Sequence, residues 1–359
     1  AIADAGGLAT IEFKAMKVNA FPAKFVVGVT SASASIGPLI TPSLPMVIYG
    51  VQANVSIGQL FTGGFIPGLV MTLLMMGMVT YFSYSQHYGR DAALNWLKMG
   101  KAFLELVILL VAAYFLFHLW QDEELGGIWK FGAPFLGLMA IDKFLRLEAF
   151  MALMTPVILI GGMASGLFTP TEAAVAAVAW SLFLGLVWYR SLTWKMLIKI
   201  SMETIETTAT VLFIVASASI FAWVLTTTQV TSQIAQWVLS ISDNPLVFLL
   251  MANVFLLFIG CFMETIAAIT ILVPVFMPIL GSLGIDPVHF GLVMVLNLMI
   301  GLLTPPIGMV LYIMAKISNQ TFEETVQAVL PWFIPLIGAL LIITYVPEIV
   351  LWLPTMLYR

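Results

Sequence analysis

Residues 36–49, IGPLITPSLPMVIY, limit the folds open to this chain more than any other stretch. They lie within apolar sequence long enough to cross a bilayer, yet they hold Pro38, Pro42 and Pro45. A proline lacks the N–H that would bond the carbonyl four residues back, and its ring clashes with that carbonyl. The carbonyls of Ala34, Pro38 and Thr41 then lose their helical partners. In hydrocarbon such groups are tolerated only where protein buries them or where they line a cavity. The stretch therefore predicts a deliberately broken helix. A second is predicted at residues 300–312, IGLLTPPIGMVLY.

Composition places these breaks in a membrane. Of 359 residues, 61% are hydrophobic and 9% charged, against about 25% charged in a soluble domain. Mean hydropathy is +1.07. The alternating ~10-residue segments of a β-barrel are missing, so the class is an all-α polytopic membrane protein. Apolar runs at 57–82, 104–120, 150–168, 173–189, 203–228 and 330–346 read as spans, with a short one at 128–141. Thr169–Glu172 reads as a helix stop followed by a capped start. Residues 190–199 read as basic and amphipathic, and 231–241 as an interfacial helix. The arms 246–261 and 266–280 are each about 24 Å long as helices. That is short of the ~30 Å core, so they predict a re-entrant hairpin with its tip at 262–265. Ala1 opens without an initiator Met, which leads us to expect preceding sequence.

Several chemistries are excluded. Cys261, the one cysteine, allows no internal disulfide. His87, His118 and His289 form no metal-ligand spacing and are read as interfacial. There is no GxSxG, no HExxH and no pair of transmembrane aspartates. Gly100-Lys101 lacks the rest of a phosphate-binding loop. Neither an enzyme nor an ATP-driven pump fits, no cofactor is called for, and nothing points to nucleic acid.

Charge suggests an orientation. Excess Lys and Arg at 14–24, 86–101, 143–146, 190–199 and Lys316 mark the cytoplasmic side, while 50–57, 229–244 and 281–290 have none. The first broken helix then runs outward and the second inward, provided that 128–141 crosses. The two also match in sequence. Placing Thr41 on Thr304, an offset of 263, superimposes Pro42 on Pro305, Met46 on Met309, Val47 on Val310 and Tyr49 on Tyr312. Gly28 meets Gly291 at the same offset. An inverted-topology repeat with matched broken helices is the architecture of secondary transporters, with sites near the midplane.

Four stretches carry a family resemblance: SASIGPLITPSLPMVIYG at 33–50, GLFTPTEAAVAAVAW at 166–180, NPLVFLLMANVFLLFIGCFMETIAAITILVP at 244–274, and IDPVHFGLVMVLNLMIGLLTPPIGM at 285–309. With them the chain resembles the large permease subunit, DctM type, of tripartite ATP-independent periplasmic (TRAP) transporters. The family has further residues before Ala1, including a first hairpin tip, and residues 106–146 have no counterpart in its usual pattern. The parts are then 1–101, the C-terminal portion of the first repeat; 102–150, an inserted helical pair; 151–228, scaffold and connecting helices; 229–318, the second hairpin and broken helix; and 319–359, the final span.

The resemblance implies a sodium-coupled, elevator-type importer in a bacterial or archaeal inner membrane. Its partners would be a small membrane subunit, a periplasmic binding protein and an organic acid such as a C4-dicarboxylate or a sialic acid. A stand-alone inverted-repeat carboxylate carrier is the competing reading. Sodium prefers hard oxygen ligands, which unwound backbone supplies. The first candidate sodium site is Ser33, Ser35, Gly37 and Thr41. The second is Glu264, Thr265, Asn297, Gly301, Thr304 and Pro305. Substrate is expected near Ser35, Pro42, Thr265 and Pro306. The bland alternative for each Ser or Thr is a bond back to its own helix. For Glu264 it is a bond to backbone N–H groups at the hairpin tip. Since no Lys or Arg falls at midplane depth, an anionic substrate would be met by helix N-termini.

Overall fold

The computed structural model describes residues 9, 12, 13, 16, 21–40, 43–86, 150–164, 168–241 and 244–358. The spans expected at 104–120 and 128–141, and the whole inserted pair, lie outside them. So do Thr41, Pro42, His87 and His118. The described residues are helical, without strands. The helices are α1 (Ala23–Ser33), α2 (Leu44–Ala53), α3 (Ile57–Gly63), α4 (Phe65–Ser85), α5 (Phe150–Ala164), α6 (Pro170–Phe183), α7 (Trp194–Thr227) and α8 (Val230–Ile241). There follow α9 (Pro245–Gly260), α10 (Thr265–Leu283), α11 (Pro287–Gly301), α12 (Met309–Ser318), α13 (Phe322–Val329), α14 (Phe333–Tyr345) and α15 (Glu348–Leu357). Among the described residues, five helical stretches are long and apolar enough to cross a membrane: 57–85, 171–188, 194–221, 265–283 and 322–345. The chain is an integral membrane protein of the all-α class.

Both breaks are present. The first falls between α1 and α2, the second between α11 and α12. The sequence match extends further in structure. α2 and α12 each end on an asparagine in the left-handed region, Asn54 and Asn319, both with φ of 54°. Two residues on, Ser56 and Thr321 cap the next helices, accepting from the backbone N–H of Gln59 and Glu324. Thus α1–α4 correspond in order to α11–α14.

Packing between the halves is reciprocal. α1 lies against α12 and α13, and α11 lies against α2 and α3, while α4 packs on α14. Two glycines allow this approach. Gly28 in α1 leaves no room for a Cβ beside the Trp332 indole and the Ala328 carbonyl. Gly291 in α11 leaves none beside the Tyr49 ring. Each repeat thus fits an aromatic ring into the matched glycine position of the other. Tyr49 is 1% exposed, and its hydroxyl donates to the Pro287 carbonyl at 2.7 Å.

Local chemistry sets the helix ends. Thr169 and Glu172 form the capping box expected at the start of α6. Asn244 and Asp286 cap α9 and α11 through their side chains, each with a proline in the first turn.

Several expectations need correction. The basic stretch 190–199 is not a separate amphipathic helix. From Trp194 it belongs to α7, one helix of 34 residues, about 51 Å long. Residues 330–346 do not form one span on their own: α13, a 3₁₀ turn at Leu330–Trp332 and α14 run together. The sequence reading also had no element at α15. His289 is buried, not interfacial, and its Nε2–H donates to the Ile343 carbonyl at 2.9 Å. The second hairpin arm, α10, has 19 residues. At about 28 Å its length alone does not force it to turn back.

Gly291→Ala should drive the new methyl into the Tyr49 ring and destabilise the protein by about 1–3 kcal/mol. Gly77→Ala, which meets nothing within 4 Å, serves as the control. Thermal unfolding in detergent should show a lowered midpoint for the first alone.

Candidate functional site

At the first break the two expected hydroxyls among the described residues each give their proton to their own helix, which leaves their oxygen lone pairs open. Ser33 Oγ donates to the Thr30 carbonyl at 3.1 Å, and Ser35 Oγ donates to that of Ala32. These are the bonds back to the helix that the bland reading describes. Gly37 is exposed. Two neighbours that the sequence reading passed over are more telling. Thr30 and Ser43 are 4% and 3% exposed, and neither hydroxyl has a hydrogen-bond partner. Ser43 precedes α2, whose N-terminus has no side-chain cap. It also lines a cavity of about 480 Å³ with Leu44, Val47, Phe61, Leu159 and Thr171. A hydroxyl between two prolines could have been suspected from sequence; its burial could not.

At the second break the hairpin tip and the broken helix meet. Gly260, the last residue of α9, lies on Gly301, the last of α11. A Cβ at Gly301 would stand 2.5 Å from the Gly260 Cα, and one at Gly260 would stand 3.0 Å from the Gly301 Cα. The neighbouring Cys261 thiol is buried, donates to the Leu257 carbonyl at 3.1 Å, and lies beside the Thr304 side chain. Thr304 Oγ1 in turn donates to the Ile300 carbonyl at 3.0 Å. The Leu303 and Thr304 N–H groups form tight turns onto Ile300 and Gly301, and the Val310 N–H reaches across the break to the Leu302 carbonyl. The Pro305–Pro306 bond is cis, and both prolines are exposed.

Glu264 does what the bland alternative describes. Its carboxylate caps α10, accepting from the Ile266 N–H at 2.8 Å and the Ala267 N–H at 3.2 Å. That occupies the N-terminus offered above to an anionic substrate. Asp286 does the same for α11. Among the helices flanking the two breaks and the tip, those starting without a side-chain cap are α2 and α12, the ones that follow the breaks, and α1.

Two oxygens near the second break stand out. Thr265, at the first position of α10, is 2% exposed and its hydroxyl has no partner. Asn297 is fully buried in α11. Its amide nitrogen donates to the Val293 carbonyl at 3.1 Å and to Asn253 Oδ1, while its own Oδ1 has no partner. An orphaned polar atom inside a protein costs about 1–3 kcal/mol. A hard cation would satisfy it. The available donors are amide, hydroxyl and backbone oxygens, which suits an ion of low charge better than a transition metal. Among the described residues, no three His, Cys, Asp or Glu side chains come together. Asn297, Thr265, Thr304 and the carbonyls around Gly301 could therefore hold sodium.

Residues 1–349 match the family described as the tripartite ATP-independent periplasmic transporter, DctM component. The chain belongs to this family. It is 40% identical to the sialic acid TRAP transporter large permease protein SiaM of Vibrio cholerae, over 99% of this chain and 73% of that protein. It is 34% identical to the sialic acid TRAP transporter permease protein SiaT of Haemophilus influenzae, over 99% of this chain and 51% of that protein. It is also 34% identical to the C4-dicarboxylate TRAP transporter large permease protein DctM of Pseudomonas aeruginosa, over 99% and 73%. The chain thus spans about three quarters of two of these relatives and about half of the third. All are transporter permeases by name and not enzymes, and this chain is a large permease of the same family.

The Gly260–Gly301 contact leaves no slack, because both partners are backbone. Gly301→Ala should pry the tip from the break and expose Cys261. Maleimide labelling at Cys261, followed by mass spectrometry, should be at least severalfold faster than in the unsubstituted permease.

Proposed function

We propose that this permease is the membrane carrier of a sodium-coupled importer for an organic acid. A periplasmic binding protein delivers the acid, a small membrane subunit supports the permease, and the site moves across the bilayer by an elevator motion. The observation that carries the sodium reading is the buried, unpartnered Asn297 Oδ1 beside a break whose hairpin tip also holds an unpartnered Thr265 hydroxyl. A cation bound at Asn297 Oδ1 would satisfy that buried oxygen. Asn297, Thr265, Thr304 and the backbone at Gly301 and Pro305 hold the ion in this reading, while Glu264 shapes the tip as a cap.

The organic-acid reading draws on the relatives. Their names give sialic acid, C4-dicarboxylate, isethionate and 2,3-diketo-L-gulonate as substrates, and each is an organic anion. An anionic group would be met by the uncapped N-termini of α2 and α12, with the Ser43 hydroxyl available as a donor. This shifts the expected contact at the first break from Ser35 and Pro42 toward Ser43. The matched breaks and reciprocal packing of α1–α4 with α11–α14 favour a two-fold related carrier core over a channel.

Uptake measured in proteoliposomes holding the assembled transporter tests the proposal. Replacing sodium by potassium should abolish uptake. Asn297→Ala and Thr304→Ala should each raise the sodium concentration for half-maximal uptake, by roughly tenfold for Asn297, while the complex still assembles. Uptake driven by a proton gradient in sodium-free buffer, or unchanged sodium dependence in both variants, would overturn it.

A further inference from the structure

Asn297 does not hold its orientation alone. An amide side chain can be turned end for end at almost no cost unless its partners distinguish oxygen from nitrogen. Here they do. The Val293 carbonyl can only accept, so the end of Asn297 facing it must be the NH₂ group. The second hydrogen of that NH₂ goes to Asn253, which must therefore present its Oδ1. That in turn points the Asn253 NH₂ at Thr344 Oγ1, which accepts at 3.0 Å. All three side chains are buried, at 0%, 3% and 1% exposure for Asn297, Asn253 and Thr344. The line runs from α11 through the hairpin arm α9 to α14. Beside it, His289 ties α11 to the carbonyl of Ile343, the residue before Thr344.

This order fixes the free end of Asn297. With both amide hydrogens spent, the atom left over is Oδ1, an acceptor without a partner. Had Asn253 been turned the other way, its NH₂ would face the Asn297 NH₂. Asn297 could not answer by turning over, because its oxygen would then face the Val293 carbonyl; the two amides would repel and Asn297 would leave its rotamer. We propose that Asn253 and Thr344 are positioning residues for cation binding. The Val293 carbonyl decides which end of the Asn297 amide is nitrogen, and Asn253 and Thr344 hold that amide in the rotamer that aims its oxygen at the ion. The inference rests on the sodium reading of Asn297. It adds two residues, one on the hairpin arm and one on the late helix α14, that touch neither ion nor substrate.

Thr344→Val keeps the shape and removes the acceptor, which leaves the buried Asn253 NH₂ unpaired and its side chain free to leave the relay. Thr344→Ser restores the acceptor. Asn253→Leu removes the relay outright and Asn253→Asp keeps an oxygen toward Asn297. The measurement is sodium-dependent thermal stabilisation of the purified transporter complex, titrated with sodium chloride against a potassium chloride control. Sodium-activated uptake in proteoliposomes is read in parallel. Thr344→Val and Asn253→Leu should raise the sodium concentration needed in both assays by roughly tenfold, with substrate KM at saturating sodium little changed. Thr344→Ser should return the sodium dependence to that of the unsubstituted protein. A role in packing alone would lower the melting point equally in sodium and in potassium, and Thr344→Ser would not correct the sodium dependence selectively. If Asn297→Ala shifts sodium dependence while Thr344→Val and Asn253→Leu do not, the relay is overturned and the ion site stands. If Asn297→Ala shifts nothing, the ion site falls and the relay falls with it.

Discussion

Backbone polarity inside an apolar slab governs this molecule. Each proline break frees carbonyl and N–H groups that lipid cannot satisfy, so the broken segments must be wrapped in protein or spent on a ligand. The structure first tightens the chain. At the first break the N–H groups of Ser35, Ile36, Leu39 and Ile40 fold into short turns, and at the second Val310 reaches back over the gap to Leu302. It then covers the breaks with helices from the other half. α11 is buried along nearly its whole length, though its 15 residues make it shorter than a full span. The close approach of α9 to α11 through Gly260 and Gly301 is what the second break needs to be shielded.

Charge is used sparingly, and four carboxylates among the described residues serve helix ends. Glu264, Asp286, Glu172 and Glu324 all bond backbone N–H groups at the starts of helices. Glu264 caps its helix through one carboxylate oxygen, and the unpartnered oxygens of Asn297 and Thr265 are neutral. In the proposed carrier, binding sodium changes the charge of the moving site by one unit. The Coulombic cost of moving that site through the bilayer then changes with loading, which is one physical basis for coupling to membrane potential.

The features written in short stretches of sequence were legible. Both breaks followed from proline spacing, the α6 capping box from Thr169 and Glu172, and the internal repeat from the residues around Thr41 and Thr304. The family resemblance also emerged from such stretches. What escaped depends on residues far apart in the chain. Asn297 was a candidate beside the second break, but its partner Asn253 lies 44 residues away and Thr344 a further 91 from Asn253, and nothing local distinguishes those two from other buried polar residues. The α7 helix was divided because its first residues are basic and amphipathic while the span begins at Glu203, yet no Gly or Pro interrupts it. Glu264 was readable as either ligand or cap, and the bonds from Ile266 and Ala267 show the cap. Ser43 was hidden by the prolines that drew attention to its surroundings.

The bond from Tyr49 to the Pro287 carbonyl spans 238 residues, and the glycine that accommodates the ring is four residues further on. A ribosome adds about 5–20 residues per second. During synthesis, then, the tyrosine hydroxyl must wait on the order of tens of seconds before its acceptor exists. For that interval the first half of the core sits in the bilayer with a polar group that has no permanent home. Insertion machinery, lipid headgroups or trapped water must shelter it until the second half arrives. The order of biosynthesis is therefore a constraint on this fold as real as its packing.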